Sequence, residues 1–223
     1  MNGGTRIRIR PRVRRRLFHH LAIALAALTG GMFVALAFDR ADLRTRVSAA
    51  TAWVALGCVA LSLMLGPLNL VRARPNPVSS DLRRDLGVWG GVVGLVHLGI
   101  GLTVHMRGKM LQYFFPPPES RGLLPFRVDA FGAANDLGLV SGLILLMLVL
   151  LSSDLSLRFL GTPRWKWWQR MNYVGALAMV CHGVLYQAIE RRPFVLVALF
   201  AAVVGVTLTL QGIGVGIVRR RIR

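Results

Sequence analysis

LGVWGGVVGLVHLGIGLTVHM, residues 86–106, runs without an Asp, Glu, Lys or Arg and carries His97 at its middle. At about 1.5 Å per residue this run reaches the roughly 30 Å of a bilayer's hydrocarbon core, so it reads as a membrane-spanning helix. A ligand-type side chain at that depth is costly to bury and marks a functional site by default. MNYVGALAMVCHGVLYQ, residues 171–187, repeats the arrangement around His182. His97 stands 11 residues past Leu86 and His182 stands 11 past Met171. If the two helices run in the same direction, both imidazoles lie roughly 16 Å from the same end.

Working outward, four further apolar stretches join these two. The candidate spans are 17–38, 47–71, 86–106, 137–152, 171–187 and 193–218, the fourth and fifth being short. Fifty-four per cent of the 223 residues are hydrophobic and the mean hydropathy is positive, more apolar than an ordinary soluble domain of this size. The expectation is an all-α integral membrane protein, a six-helix bundle over 17–218 with basic tails at 1–16 and 219–223 and an outer loop at 107–136. The run 17–38 is longer than a signal-peptide core and is followed by Asp39 and Arg40 in place of a small-residue cleavage site, so it counts as the first span.

The net charge of +19 invites a nucleic-acid reading, but its distribution argues for a membrane. With the N-terminus on the cytoplasmic side, 19 of the 28 Lys and Arg fall there and 9 on the other. That asymmetry follows the positive-inside rule and predicts both termini in the cytoplasm. The tail arginines Arg6, Arg8, Arg10, Arg12, Arg14, Arg15 and Arg16, with His19 and His20 at its border, are expected at anionic lipid headgroups; the alternative is docking on an acidic partner subunit. The short soluble segments leave no room for a nucleotide-binding domain. A flavin or nicotinamide module serving this chain would be another polypeptide. Cys58 and Cys181 lie inside spans and read as small buried hydrophobes; no Cys-x-x-Cys-His sequence offers covalent haem attachment.

Small residues surround both histidines. Gly90, Gly94, His97 and Gly101 share one helix face at spacings of 4, 3 and 4, and Gly175, Ala178 and His182 do the same on the other helix. Two imidazoles at matched depth, each on a stripe cleared of bulk, suit the axial positions of one flat macrocycle, a b-type haem walled by Leu, Val and Met. The competing reading is that the small residues serve close helix packing and the histidines hydrogen-bond across it. His105 falls near the outer end of the third span, rotated from His97, and is assigned a polar role at the interface. The segment Arg164, Trp165, Lys166, Trp167, Trp168, Gln169, Arg170 reads as an aromatic belt, or as a place beside a quinone or an electron donor.

The segments Leu65-Gly66-Pro67-Leu68-Asn69-Leu70, Asp81-Leu82-Arg83-Arg84-Asp85-Leu86-Gly87 and Leu95-Val96-His97-Leu98 resemble the ferric reductase-like transmembrane family. Ser153-Asp154-Leu155-Ser156-Leu157-Arg158-Phe159-Leu160-Gly161, Arg164-Trp165-Lys166 and Cys181-His182 resemble the same family, closest to its short MsrQ (YedZ)-type members. The resemblance covers most of residues 50–190. It implies a haem-binding six-helix domain that carries electrons across a bacterial inner (cytoplasmic) membrane, from a cytoplasmic flavin-dependent donor toward a periplasmic acceptor. In the MsrQ branch that acceptor is a methionine sulfoxide reductase. The chain departs from the family at Gln169, where a further histidine usually stands, which limits the expectation to one haem held by His97 and His182. The alternative function is an accessory or structural subunit of a larger membrane complex that keeps the bundle without a redox role.

Overall fold

The computed structural model describes residues 11–38, 41–74, 80–120 and 124–222. Among these residues seven α-helices follow one another: α1 (Pro11–Ala37), α2 (Leu43–Val71), α3 (Asp81–Val104), α4 (Ala130–Leu150), α5 (Asp154–Gln169), α6 (Met171–Ile189) and α7 (Phe194–Ile222). Short 3-10 turns at Met106–Gly108, Met110–Tyr113 and Pro118–Ser120 fill the connection between α3 and α4, and no strand occurs among the described residues. Helices α1, α2, α3, α4 and α7 are long and apolar enough to cross a membrane. Helix α6 falls short of that measure, because Asn172, Tyr173, His182, Tyr186 and Gln187 interrupt its apolar sequence. Large apolar side chains such as Leu17, Phe18, Leu28 and Phe33 stand exposed along α1. Such a surface suits a lipid solvent, in which every backbone group must be satisfied inside the helices.

Side-chain caps start the helices. Asp42, Ser80, Asp129 and Ser153 each accept a hydrogen bond from the backbone N–H three residues on, at the first turns of α2, α3, α4 and α5. The cap at Asp129 starts α4 seven residues before the expected span, so Asn135 and Asp136 are helical, not part of a loop. The segment 153–170, read from the sequence as a connection, forms α5. Gly161 breaks it in the left-handed region, φ 71°, where a residue with a Cβ is strained.

The bundle is organised around α2 and α4. Helix α2 packs against α1, α3 and α7, whereas α4 packs against α3 and α6. Where α2 meets α3, a Cβ on Gly90 would stand 2.8 Å from Val59 Cγ2, so glycine permits that approach. Pro67, inside α2, has no N–H for the Leu63 carbonyl four residues back. Gln211 of α7 replaces that donor, its Nε2 lying 2.7 Å from Leu63 O, which ties α7 to α2 at the proline.

One end of the bundle is held by arginine. Arg12 and Arg15 pair with Asp81 at 3.0 and 2.7 Å, and Arg16 donates to Asp85 at 2.7 Å. Asp85 is wholly buried and also faces His19, at 3.2 Å, and His20, at 3.7 Å; Trp89 Nε1 donates to His20. Arg12 and Arg15 thus pair with α3 while staying exposed, whereas Arg16, His19 and His20, also expected at lipid headgroups, gather around Asp85, because a carboxylate buried at a helix junction requires partners. Arg6, Arg8 and Arg10 lie outside the described residues. Arg84 pairs with Asp154 at 3.1 Å and hydrogen-bonds Ser152 O, which places α5 at this same end.

Candidate functional site

His97 and His182 come together. Their ring centres are 6.2 Å apart and the ring planes stand at 73°. His97 reaches from α3 toward α2, where its Nδ1 lies 3.0 Å from the Ser48 carbonyl oxygen. His182 reaches from α6 toward α4, its Nδ1 2.7 Å from the Ala134 carbonyl oxygen. A carbonyl accepts only, so each Nδ1 carries the proton and each Nε2 keeps its lone pair. No described residue hydrogen-bonds either Nε2. A ring fixed by Nδ1–H to a backbone carbonyl, with Nε2 free, is the usual state of a metal-ligating histidine.

The rings border a cavity between α2, α3, α4, α6 and the start of α7. Its cavity volume is about 210 Å³, and it is open at one side. Ala52, Ala55 and Leu56 of α2, Leu145 of α4 and Met179 of α6 make an apolar wall toward the arginine-rich end, and Phe200 of α7 lines the cavity beside Gly183. At the other end the lining turns polar, with His105, Gln187, Glu190 and Arg192. Gln187 Oε1 is buried there without a hydrogen-bond partner, an acceptor that a bound group or water would satisfy.

The predicted small residues divide into two groups. Gly94 and Gly101 line the cavity. Gly90, Gly175 and Ala178 lie outside its lining: Gly90 admits α2, and Gly175 faces Ile144 of α4 and accepts a hydrogen bond from Ser141. Ala178 is buried on the same helix. Gly138 of α4 was not singled out from the sequence, yet its backbone runs close beside the His182 ring. A Cβ there would stand 2.7 Å from His182 Nδ1 and 2.9 Å from its Cε1. The spacing Ala134, Gly138, Ser141, Gly142 on α4 was the available signal, a small-residue face on a helix that carries no histidine of its own.

At the polar end, Tyr113 is almost wholly buried; its hydroxyl accepts from the His105 N–H at 2.7 Å and donates to Gly101 O at 2.9 Å. Burial pushes its phenol above the ordinary value. Glu190 is half-buried, which alone would raise its carboxyl; the hydrogen bond from His105 and the charge of Arg192 outweigh that and hold it below the usual range. Tyr186 donates to Asn135 Oδ1 at 2.8 Å, and its ring lies 4.8 Å from that of His182. Trp165 Nε1 donates to Leu151 O, while Trp167 and Trp168 are exposed and outside the cavity. Gln169 Nε2 is buried without a partner, also outside the cavity.

These residues fit a haem. Two imidazoles on one iron, each bound at about 2 Å, place their ring centres about 6 Å apart, the spacing of His97 and His182. Among the described residues no group of three or more His, Cys, Asp or Glu is gathered to hold a metal ion. A porphyrin requires only two protein ligands, since its own nitrogens supply the other four. The geometry therefore defines an all-α protein with membrane-length apolar helices and a paired-histidine cavity inside the bundle. No family model, curated protein or solved structure matches the chain.

Proposed function

We propose that this chain is a b-type haem-binding transmembrane electron-transfer subunit of the ferric reductase-like type. In this reading six helices, α1 to α4 with α6 and α7, cross a bacterial inner membrane, and both termini lie in the cytoplasm. Helix α5 then rests at the cytoplasmic surface. The observation that carries the reading is the facing pair His97 and His182, with both Nδ1 atoms committed to carbonyls and both Nε2 atoms free.

When bound, haem supplies a one-electron carrier whose potential is set by its axial ligands and their surroundings. The chain's residues do the rest. His97 and His182 would hold the iron, and the carbonyls of Ser48 and Ala134 fix the imidazole tautomers and would raise their basicity as ligands. Leu56, Leu145 and Met179 exclude water on the cytoplasmic side, and the polar residues His105, Gln187, Glu190 and Arg192 form the outer end. Electrons enter from a flavin-dependent or quinone donor at the arginine-rich face and leave toward an acceptor on the opposite side.

The test is transmembrane transfer. The haem-loaded chain is reconstituted in vesicles with ferricyanide trapped inside and an impermeant reductant outside. Ferricyanide reduction that depends on the chain, and is lost in His97→Ala and His182→Ala, is the expected result. A stable protein that takes up no haem, or a haem protein that moves no electrons, overturns the proposal.

A further inference from the structure

The polar end of the cavity takes no part in fixing the histidine rings, yet it is built from residues that touch one another. His105 closes α3, and its Nε2 lies 3.2 Å from Glu190 Oε1. The other oxygen of Glu190 is paired with Arg192. Tyr186 stands between this cluster and the ligand pair: its ring contacts His182 on one side and stacks on His105 on the other, at 6.3 Å and 22°. Among the described residues, the remaining titratable or charged neighbours are Tyr113, whose ring centre is 6.3 Å from His105, and, one ring further, Arg127 over Phe131, already paired with Asp129. Among the described residues, His105 is thus flanked by one carboxylate and two phenols, and the nearby Arg127 and Arg192 are engaged with carboxylates.

An imidazole is the side chain whose ordinary titration falls near neutral pH. His105 lies eight residues from His97 along α3, about 12 Å at 1.5 Å per residue. At an effective dielectric of about 20, a unit charge at that distance alters proton affinity roughly tenfold. Glu190 stabilises the protonated imidazole by a charge-assisted hydrogen bond.

We infer that His105, hydrogen-bonded to Glu190, is a redox-linked proton site: it takes up a proton when the group held by His97 and His182 gains an electron, and releases it on reoxidation. The inference rests on the haem reading above. With haem in place, one electron from the flavin-dependent or quinone donor would be taken up at the group held by His97 and His182, and one proton from the outer aqueous face would add to the His105 imidazole. The charge of the cavity as a whole is unchanged, and no bond of the chain is broken.

The test is a redox titration of the haem-loaded full chain in nanodiscs across roughly pH 5 to 9, the range in which an imidazole titrates. Haem content is measured on every sample by pyridine haemochrome. The midpoint is expected to fall through a single step as pH rises, with a total change equivalent to about tenfold in proton affinity, or about 59 mV for one electron. His105→Phe, which keeps a ring against Tyr186 and Phe131, removes the step. Glu190→Gln moves it to lower pH, and decides the matter if His105→Phe does not fold. A haem-loaded wild type with a flat profile overturns this inference alone, as does a step that survives unshifted in the variants. A wild type without haem overturns the proposed function and this inference with it.

Discussion

Replacing Gly138 by alanine is expected to weaken haem binding through His182 alone. The new Cβ would stand 2.7 Å from His182 Nδ1, against at least 3.4 Å for an ordinary contact, so the ring must retreat by roughly 0.7 Å. That retreat acts on the hydrogen bond to Ala134 O, which at 2.7 Å fixes the tautomer. Loss of such a bond costs about 0.5–1.5 kcal/mol, and disturbance of a ligating histidine's supporting contact lowers metal affinity about 10–100-fold. Alanine favours a helix over glycine by roughly 1 kcal/mol, so weaker binding would not come from a weaker α4. Haemin titration of the purified apo-chain measures the effect. Gly205→Ala is the control, because a Cβ there has nothing within 4 Å. Gly138→Ala affinity within twofold of wild type, with an unchanged spectrum, would refute the reasoning.

Three further outcomes follow from the polar contacts. Asp85→Asn leaves Arg16 without its buried counter-charge; a broken buried pair costs about 3–5 kcal/mol, and partial exposure of Arg16 reduces this to about 2 kcal/mol. The loss is read by denaturation in detergent, and an unchanged midpoint would contradict the clamp between α1 and α3. Tyr113→Phe removes the partner of both His105 N–H and Gly101 O, at about 1–3 kcal/mol for the stranded groups. A wild-type melting temperature in that variant would show that those groups are satisfied otherwise. Glu190 titrates below its ordinary value of 4.5 when folded, so its contribution to stability is complete above that value and is lost as the pH falls through the depressed one. The melting-temperature gap between wild type and Glu190→Gln should therefore be present at neutral pH and close in acid; a gap independent of pH would contradict the assignment.

The helical class and the pairing of His97 with His182 were legible in the sequence because both depend on spacing along a helix. Charge-free runs of membrane length carry the helical class directly, and the two histidines stand 11 residues past the starts of their apolar runs, Leu86 and Met171, although α3 itself begins five residues earlier, at Asp81. Gly138 was not legible, since its importance lies in facing a histidine of another helix and no period on α4 reveals that. The role of His19, His20 and the nearby arginines was hidden for a similar reason. Asp85 is a helix-start carboxylate by sequence, and only the meeting of α1 with α3 buries it. Helix α5 escaped notice because Gly161 and Pro163 resemble a loop, although the Ser153 cap and the break at Gly161 let two short helical pieces join. The small-residue stripe was half informative: Gly94 and Gly101 face the cavity, whereas Gly90 and Gly175 allow neighbouring helices to approach.

The most direct test of the paired-histidine site is the reduced-minus-oxidised spectrum of the purified full chain, with haem counted by pyridine haemochrome, in wild type, His97→Ala and His182→Ala. The account predicts one b-type haem per chain with a sharp low-spin signal in wild type, and loss of that signal in each single variant. A colourless, stably folded wild-type protein, or a low-spin signal that survives either substitution, would contradict it.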